Sequence, residues 1–282
     1  MPVAVVTDST AYLPEVLATG VTVVPLTVVI NGRPGVEGEQ VGPAEVAAAL
    51  AEPRTSVTTS RPAPAQFASA FQRLLAAGAD GVVAVHLSAH LSGTYEAAVL
   101  AADEVAPDQI TVVDSGATGM GLGFCALAAA EAAASGAGQA AVAAAARLAA
   151  AATTTYFYVD TLEFLRRGGR ISAASALLGT ALSVKPILHV TGGVIAARDK
   201  VRTASRALER LVDLSVAAAE GDGVVDLAVH HLAAPARAEA VSDAITARLG
   251  PRLRHHWTSE VGAVVAAHAG PGLVGVVVHR IG

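Results

Sequence analysis

The sequence predicts an α/β protein: a parallel-sheet domain over residues 1–155, then a second, α+β domain over residues 156–282, with a ligand cleft between them. Three observations carry that expectation. In the first half, short β-rich apolar runs alternate with helical stretches, the pattern of parallel strands joined by right-handed crossovers. Polar residues collect just after those runs, at Asp8/Ser9/Thr10, Ser88/Ser92/Thr94 and Asp114/Ser115/Thr118. That is the edge of an open α/β sheet where ligands bind, and the three groups are expected to share one crevice. After about Thr155 the rhythm changes to hairpin-like strand pairs. A chain of 282 residues, 53% of them apolar, can bury cores for two domains. No Pro/Ser-rich linker separates the halves, so they should pack tightly and leave a cleft at their junction.

In chain order, Val3 to Val6 reads as a strand that ends in Thr7, Asp8, Ser9 and Thr10, and Leu13-Pro14-Glu15 opens a helix, proline being tolerated in a first turn. Val21 to Ile30 reads as one strand, followed by Asn31-Gly32, a strong two-residue hairpin signal. A helix from Pro43 to Leu50, a loop from Glu52 to Pro64 and a helix from Ala65 to Ala77 come next. The continuous apolar run Val82 to Val85 suits a buried strand, and helical character resumes at Ser92-Gly93. There Ser92 either caps the new helix or leaves the N–H groups of Gly93, Thr94 and Tyr95 facing an anion. Gln109 to Val113 is a further strand, and the alanine-rich run from Ala126 to Ala152 is two helices broken at Gly136 and Gly138.

In the second half, Tyr156 to Val159 is a strand and Leu162 to Arg167 a short helix stopped by Gly168-Gly169, with Ser172 as cap for the next helix. Val184 to Val190 and Val194 to Ala197 form a hairpin across Thr191-Gly192-Gly193. A long helix from Thr203 to Ala219, a strand from Val224 to His230, a helix from Pro235 to Leu249 and strands at Leu253 to Thr258 and Leu273 to His279 complete the chain.

Several function classes are excluded on composition. With 19 basic and 24 acidic side chains the formal charge is −5, which gives no electrostatic reason to expect nucleic acid; Arg166, Arg167 and Arg170 form the one tight basic group. No transmembrane segment is expected, because the alanine-rich run carries Glu131, Gln139 and Arg147 and the apolar C-terminal stretch carries His268 and Pro271. The start of the chain lacks a basic region followed by a cleavable apolar segment, and the single Cys125 fits a reducing compartment, so a cytoplasmic location is expected. There is no G-x-x-x-x-G-K, no H-E-x-x-H and no G-x-S-x-G, and the glycines of 119–123 do not make a dinucleotide fingerprint. On strands, His230/His231 and His255/His256 would point to opposite faces, which disfavours a metal site. His268 stands apart. It sits in an apolar run just before Gly270-Pro271-Gly272, where backbone can approach closely; taken alone it reads first as a satisfied core histidine and second as a ligand-binding one.

Taken as an ordered set, Val6-Thr7-Asp8-Ser9-Thr10, Thr59-Ser60-Arg61-Pro62, Leu91-Ser92-Gly93-Thr94-Tyr95, Val113-Asp114-Ser115, Thr161-Leu162-Glu163-Phe164-Leu165, Gly168-Gly169-Arg170-Ile171-Ser172, Lys185-Pro186-Ile187-Leu188 and His268-Ala269-Gly270-Pro271-Gly272 resemble the DegV family over essentially the whole chain. The resemblance implies a non-catalytic, fatty-acid-binding subunit without a cofactor, whose buried tunnel holds one long acyl chain. It also implies a separate fatty-acid kinase as partner, which phosphorylates the bound carboxylate to an acyl phosphate. By the same resemblance Thr59, Ser92 and His268 hold the carboxylate, with Ser60 and Gly93 beside them, and Arg170 occupies a position associated with kinase docking or phosphate contact. Two departures stand out: Arg61 replaces the usual glutamine, and Glu37-Gly38 stands where aspartate is commoner. Two other readings remain open. One is a small-molecule enzyme resembling dihydroxyacetone kinases, using Asp8, Ser9, Asp114 and His268; the other is a lipid carrier with no kinase partner.

Overall fold

The computed structural model describes residues 3–171 and 184–282. In chain order the first half runs β1 (Ala4–Asp8), β2 (Val21–Val24), β3 (Thr27–Ile30), β4 (Arg33–Val36), α1 (Pro43–Ala51), β5 (Val57–Ser60), α2 (Pro64–Ala76), β6 (Val82–His86), α3 (Thr94–Val105), β7 (Ile110–Asp114), α4 (Met120–Ala134) and α5 (Gln139–Ala151). The second half runs β8 (Thr153–Tyr158), α6 (Glu163–Arg167), β9 (Lys185–Thr191), β10 (Val194–Val201), α7 (Ala204–Ala218), β11 (Val224–His231), α8 (Pro235–Leu249), β12 (Leu253–Glu260), α9 (Ala263–Ala269) and β13 (Val274–Ile281).

A parallel sheet of order β2-β1-β6-β7 is covered on both faces, which is why its strands read as unbroken apolar runs. Alternate residues go to opposite sides: Val83 and Val85 pack with Leu122, Cys125 and Val142 of α4 and α5, while Val82 and Ala84 pack with Phe67 and Phe71 of α2 and the alanines of α3. The second sheet, β10-β9-β8-β13-β11-β12, is mixed, antiparallel throughout except for the parallel pair β11/β12. Tyr156 and Tyr158 face α7 and α8, and Phe157 and Val159 face the other way, toward the middle of the molecule. A small antiparallel sheet, β4-β3-β5, joins that central cluster through Leu26 and Val28, together with Val46 of α1 and Val264 of α9. At the hairpin tip of β9 and β10, Ser88 Oγ donates to Gly193 O at 2.6 Å and ties the two larger sheets together.

Most expected elements lie within a residue or two of their forecast ends, and the Asn31-Gly32 hairpin is present, with φ of 51° and 80° at its two turn residues. Three expectations are corrected, and one unassigned run gains an element. Val21 to Ile30 is two strands, because Pro25 supplies no N–H for a ladder and the N–H of Leu26 goes to Ser9 Oγ instead (3.0 Å). Leu13-Pro14-Glu15 leads only to a single 3-10 turn, Glu15–Leu17, before the chain must return to the sheet at Val21. The loop from Glu52 to Pro64 contains β5, which pairs Thr59 with Val28. The run ending at His268 is the helix α9. Ser172 lies outside the described residues. Among the described residues, no helix is long and apolar enough to cross a membrane.

Candidate functional site

A cavity of about 350 Å³ lies where the carboxyl edge of the parallel sheet, the inner face of the mixed sheet and α9 meet. That size falls in the range of roughly 300–1,000 Å³ usual for small-molecule sites. Its walls are chiefly aliphatic: Leu26 and Leu87 from the first half, Leu165, Val190, Ile195, Val264, Leu273 and Val277 from the second, with Phe157 as the buried aromatic. Thr59, Ser60, Arg61, Ser92, Gly93, Arg170 and His268 all line it and make up a polar cluster on its wall.

The cluster is assembled from three directions. Strand β5 alternates half-buried and exposed residues, so Thr59 turns inward and Ser60 outward, where its hydroxyl is spent on Arg61 O (3.2 Å). Helix α9 carries His268 in its last turn and sets its Nε2 2.8 Å from Thr59 Oγ1. Gly168, at the end of α6, closes over the other side of that ring; a Cβ there would overlap His268 Nδ1. The helix ends are locked together as well, since Gly270, at φ 76°, lies where a Cβ would run into the Phe164 ring. Arg170 braces the corner, giving Nε to Leu91 O (3.0 Å) and Nη1 to Gly168 O.

Helix α3 begins at the same corner without a side-chain cap. Ser92 Oγ pairs with Thr94 Oγ1 (2.9 Å), so of the two forms the sequence allowed, the uncapped one is present. Gly93 serves as N-cap, and the Arg61 guanidinium lies against its Cα, in space a Cβ would fill. Arg61 is exposed, lines the cavity and has no ion pair among the described residues. Arg166 and Arg167, by contrast, both turn to Glu163, whose carboxyl they hold down at about 2.

Burial, and then the Arg170 cation, push the His268 pKa down to about 4, so the ring is neutral near neutrality and carries one proton. Its Nδ1 is buried with no partner among the described residues. A buried N–H without an acceptor is rarer than a buried lone pair without a donor, which favours the tautomer protonated at Nε2. Thr59 Oγ1 then accepts from His268, and its own hydroxyl proton is left to donate. Together with the uncapped N–H groups of α3, this corner offers donors and a nearby cation to an anion.

The three polar groups at strand ends do not share the crevice in full. Each sends one side chain to it, namely Thr10, Ser92 and Thr118. Asp8 is used up elsewhere: Thr10 N (3.1 Å) and Thr10 Oγ1 (2.6 Å) donate to one oxygen, and Leu87 N (2.9 Å) and His86 Nδ1 (3.1 Å) meet the other. Asp114 accepts from Gly116 N (2.8 Å) and borders a separate polar groove with Ser115, His90 and His189. Asp8, Ser9 and Asp114 therefore do not converge on His268. Among the described residues no three His, Cys, Asp or Glu side chains are placed to hold a metal ion.

Two participants escaped sequence reasoning. Glu37, nearly fully buried, accepts from Val264 N (2.7 Å), Tyr12 OH (3.3 Å) and Ser9 Oγ, and so anchors the start of the helix that carries His268. Burial raises its pKa. His230, another cavity-lining ring, accepts from Met120 N (3.1 Å) at Nε2 and faces Ser259 Oγ (3.1 Å) at Nδ1; burial depresses its pKa to about 4. Glu37-Gly38 was visible as a departure from the usual pattern, but nothing local announced that it reaches α9.

Fold and site thus define an α/β protein with a chiefly aliphatic central cavity that carries hydroxyl, imidazole and guanidinium groups on its wall. The family model described as "Uncharacterised protein, DegV family" matches residues 2–280, and the chain belongs to that family. A DegV domain-containing protein of Streptomyces coelicolor is 54% identical over 278 residues, 98% of each chain, and one of Mycobacterium tuberculosis is 41% identical over 281 residues, 99% of this chain and 97% of the relative. Among solved structures, a fatty-acid-binding DegV family protein from Thermus thermophilus superposes with a TM-score of 0.94 at 36% identity, covering 100% of both chains. DegV from Bacillus subtilis, a fatty acid binding protein, gives 0.89 at 31% identity, again covering 100% of both.

Proposed function

We propose that this protein is a fatty-acid carrier that buries one long acyl chain in the central cavity, fixes its carboxylate at the Thr59/Ser92/His268 corner, and presents it to a separate fatty-acid kinase. The observation that carries the reading is the pairing of a chiefly aliphatic cavity with a corner where the Thr59 hydroxyl meets a neutral imidazole beside an uncapped helix start; the Thr118 hydroxyl, without a partner among the described residues, is a further free group on the same wall. The fatty-acid-binding relatives of the same fold support it.

The energetics suit a carrier. About fifteen methylenes at roughly 0.8 kcal/mol each give on the order of 12 kcal/mol gross, of which ordering costs remove half or more. The carboxylate adds orientation. Thr59 donates to one oxygen, Gly93 and Thr94 N–H groups face it, and Ser60 and Arg61 border the outer side. In the partner's reaction, a carboxylate oxygen would attack the γ-phosphorus of ATP as the bond to ADP breaks, leaving an acyl phosphate still held by its tail. The added negative charge would fall beside Arg61 and Arg170, which this chain keeps next to the corner.

The test has two stages. Native mass spectrometry of the purified protein should show one fatty acid per chain, and addition of a fatty-acid kinase with ATP should convert it to acyl phosphate. Absence of bound lipid overturns the carrier; bound lipid without acyl phosphate at any chain length leaves a carrier with no kinase partner.

A further inference from the structure

A second cavity of about 290 Å³ lies beside the first, with an apolar lining that includes Ala11, Leu13, Ala18, Val23 and Val41. Among the described residues, Tyr12 is the side chain that lines both. Its position is fixed from several sides. The hydroxyl donates to Glu37 Oε1 (3.3 Å) and accepts from Val265 N (3.1 Å), and the ring meets His230 edge-on at a centroid distance of 6.1 Å. The ring also lies against Gly262, where a Cβ would overlap it. The backbone of Tyr12 is left-handed, at φ 48° and ψ 43°, a conformation that a tyrosine keeps only where its surroundings hold it.

The second cavity offers a polar ligand few free groups. Glu37 accepts from Val264 N, Tyr12 OH and Ser9 Oγ, Ser9 Oγ accepts from Leu26 N, and Asp8 is bonded to Thr10, His86 and Leu87 N, so most of what remains is apolar surface. An alkyl chain is the chemistry that fits.

We propose that Tyr12 is the partition that sets how much acyl chain the protein accepts. A chain that outruns the first cavity meets the ring; with the ring removed, the two cavities become one. This rests on the carrier reading above and goes beyond it by naming the residue that limits the tail. Each methylene that reaches the second chamber gains roughly fourfold in affinity before ordering costs.

Tyr12→Gly is the informative variant, because glycine suits φ 48° and carries no ring. The full chain is offered an equimolar mixture of saturated fatty acids from laurate to arachidate, and the bound species are read by native mass spectrometry. The ratio of bound arachidate to palmitate should rise about tenfold over wild type, a few methylenes' worth after ordering costs. Adding Ala18→Phe to Tyr12→Gly refills the second chamber and should return the ratio to the wild-type value. Should Tyr12→Gly fail to fold by circular dichroism, Tyr12→Asn, whose short side chain tolerates left-handed backbone, takes its place with the same expectation. Equal distributions in the wild type and a folded variant, or a shift to shorter chains, overturn the partition. A wild-type protein that takes up none of the mixture overturns the carrier reading instead.

Discussion

Two histidine corners in this molecule look alike in sequence and differ in their spare valence. At the end of β1, Asp8, Thr10 and His86 are fully buried and bonded to one another, with Leu87 N completing the set. At the junction of β5 and α9, Thr59 and His268 hold only each other, and the helix start beside them is uncapped. The first corner resembles a catalytic site in composition, yet every Asp8 lone pair is engaged and neither Asp8 nor His86 reaches the cavity; His86 Nε2, like His268 Nδ1, has no partner among the described residues, so the contrast lies in the oxygens and not in the rings. Residue type does not separate the brace from the proposed binding site; oxygens left available to a ligand do.

The largest effect should come from breaking the brace. Asp8→Ala strips partners from Thr10, Leu87 and His86 in one step, and should cost about 3–5 kcal/mol in urea unfolding while leaving fatty-acid affinity intact in the folded fraction. A loss below roughly 1 kcal/mol would remove the distinction between the corners.

Acid should act next. His230 and His268 are held neutral by burial at pKa values near 4, against 6.5 when exposed. Below pH 6.5 the unfolded chain therefore binds protons that the folded chain refuses, so the stability these two rings contribute falls as pH drops from about 6.5 to about 4, and their share of the loss is complete below that. His230, nearly fully buried, accounts for on the order of 3 kcal/mol of the loss. His230→Asn should flatten the slope; an unchanged slope contradicts the assignment.

At the proposed binding corner, Thr59→Val removes the hydroxyl at nearly constant volume, and Gly168→Ala pushes the His268 ring off Thr59. Either should weaken palmitate binding roughly ten- to a hundredfold by titration calorimetry, the value of a hydrogen bond to a charged acceptor. Binding of the corresponding methyl ester should change little, and an equal loss for acid and ester would mean that the corner does not read charge. The smallest effect belongs to Arg61, which is exposed and screened. Arg61→Gln should cost fivefold at most and less at high salt; a larger, salt-independent loss would move Arg61 into the corner itself.

The parallel sheet was legible because both its faces are covered, so Val82–Val85 reads as an unbroken apolar run between helices. Gly168-Gly169, Gly192-Gly193 and Asn31-Gly32 were legible because their left-handed or close-packed backbone demands small or turn-forming residues. Strand β5 was not, since Val57-Thr58-Thr59-Ser60 is short, lies at a sheet edge and carries one strongly apolar residue. Helix α9 was hidden by its seven residues, too few to show a period. Of the proposed binding corner, the resemblance named Thr59, Ser92 and His268, but neither the saturation of Asp8 by His86 and Leu87, 78 and 79 residues away at the end of the neighbouring strand, nor the reach of Glu37 and Tyr12 to α9, more than two hundred residues away, has a local signature.

The central claim is that a fatty acid lies in this cavity with its carboxylate at Thr59. A crystal structure of the protein with palmitate tests it most directly: the account requires a carboxylate oxygen within hydrogen-bond distance of Thr59 Oγ1 and the alkyl chain among Leu26, Phe157, Val190 and Leu273. Palmitate lying in the reverse direction, or bound outside the cavity, would contradict it.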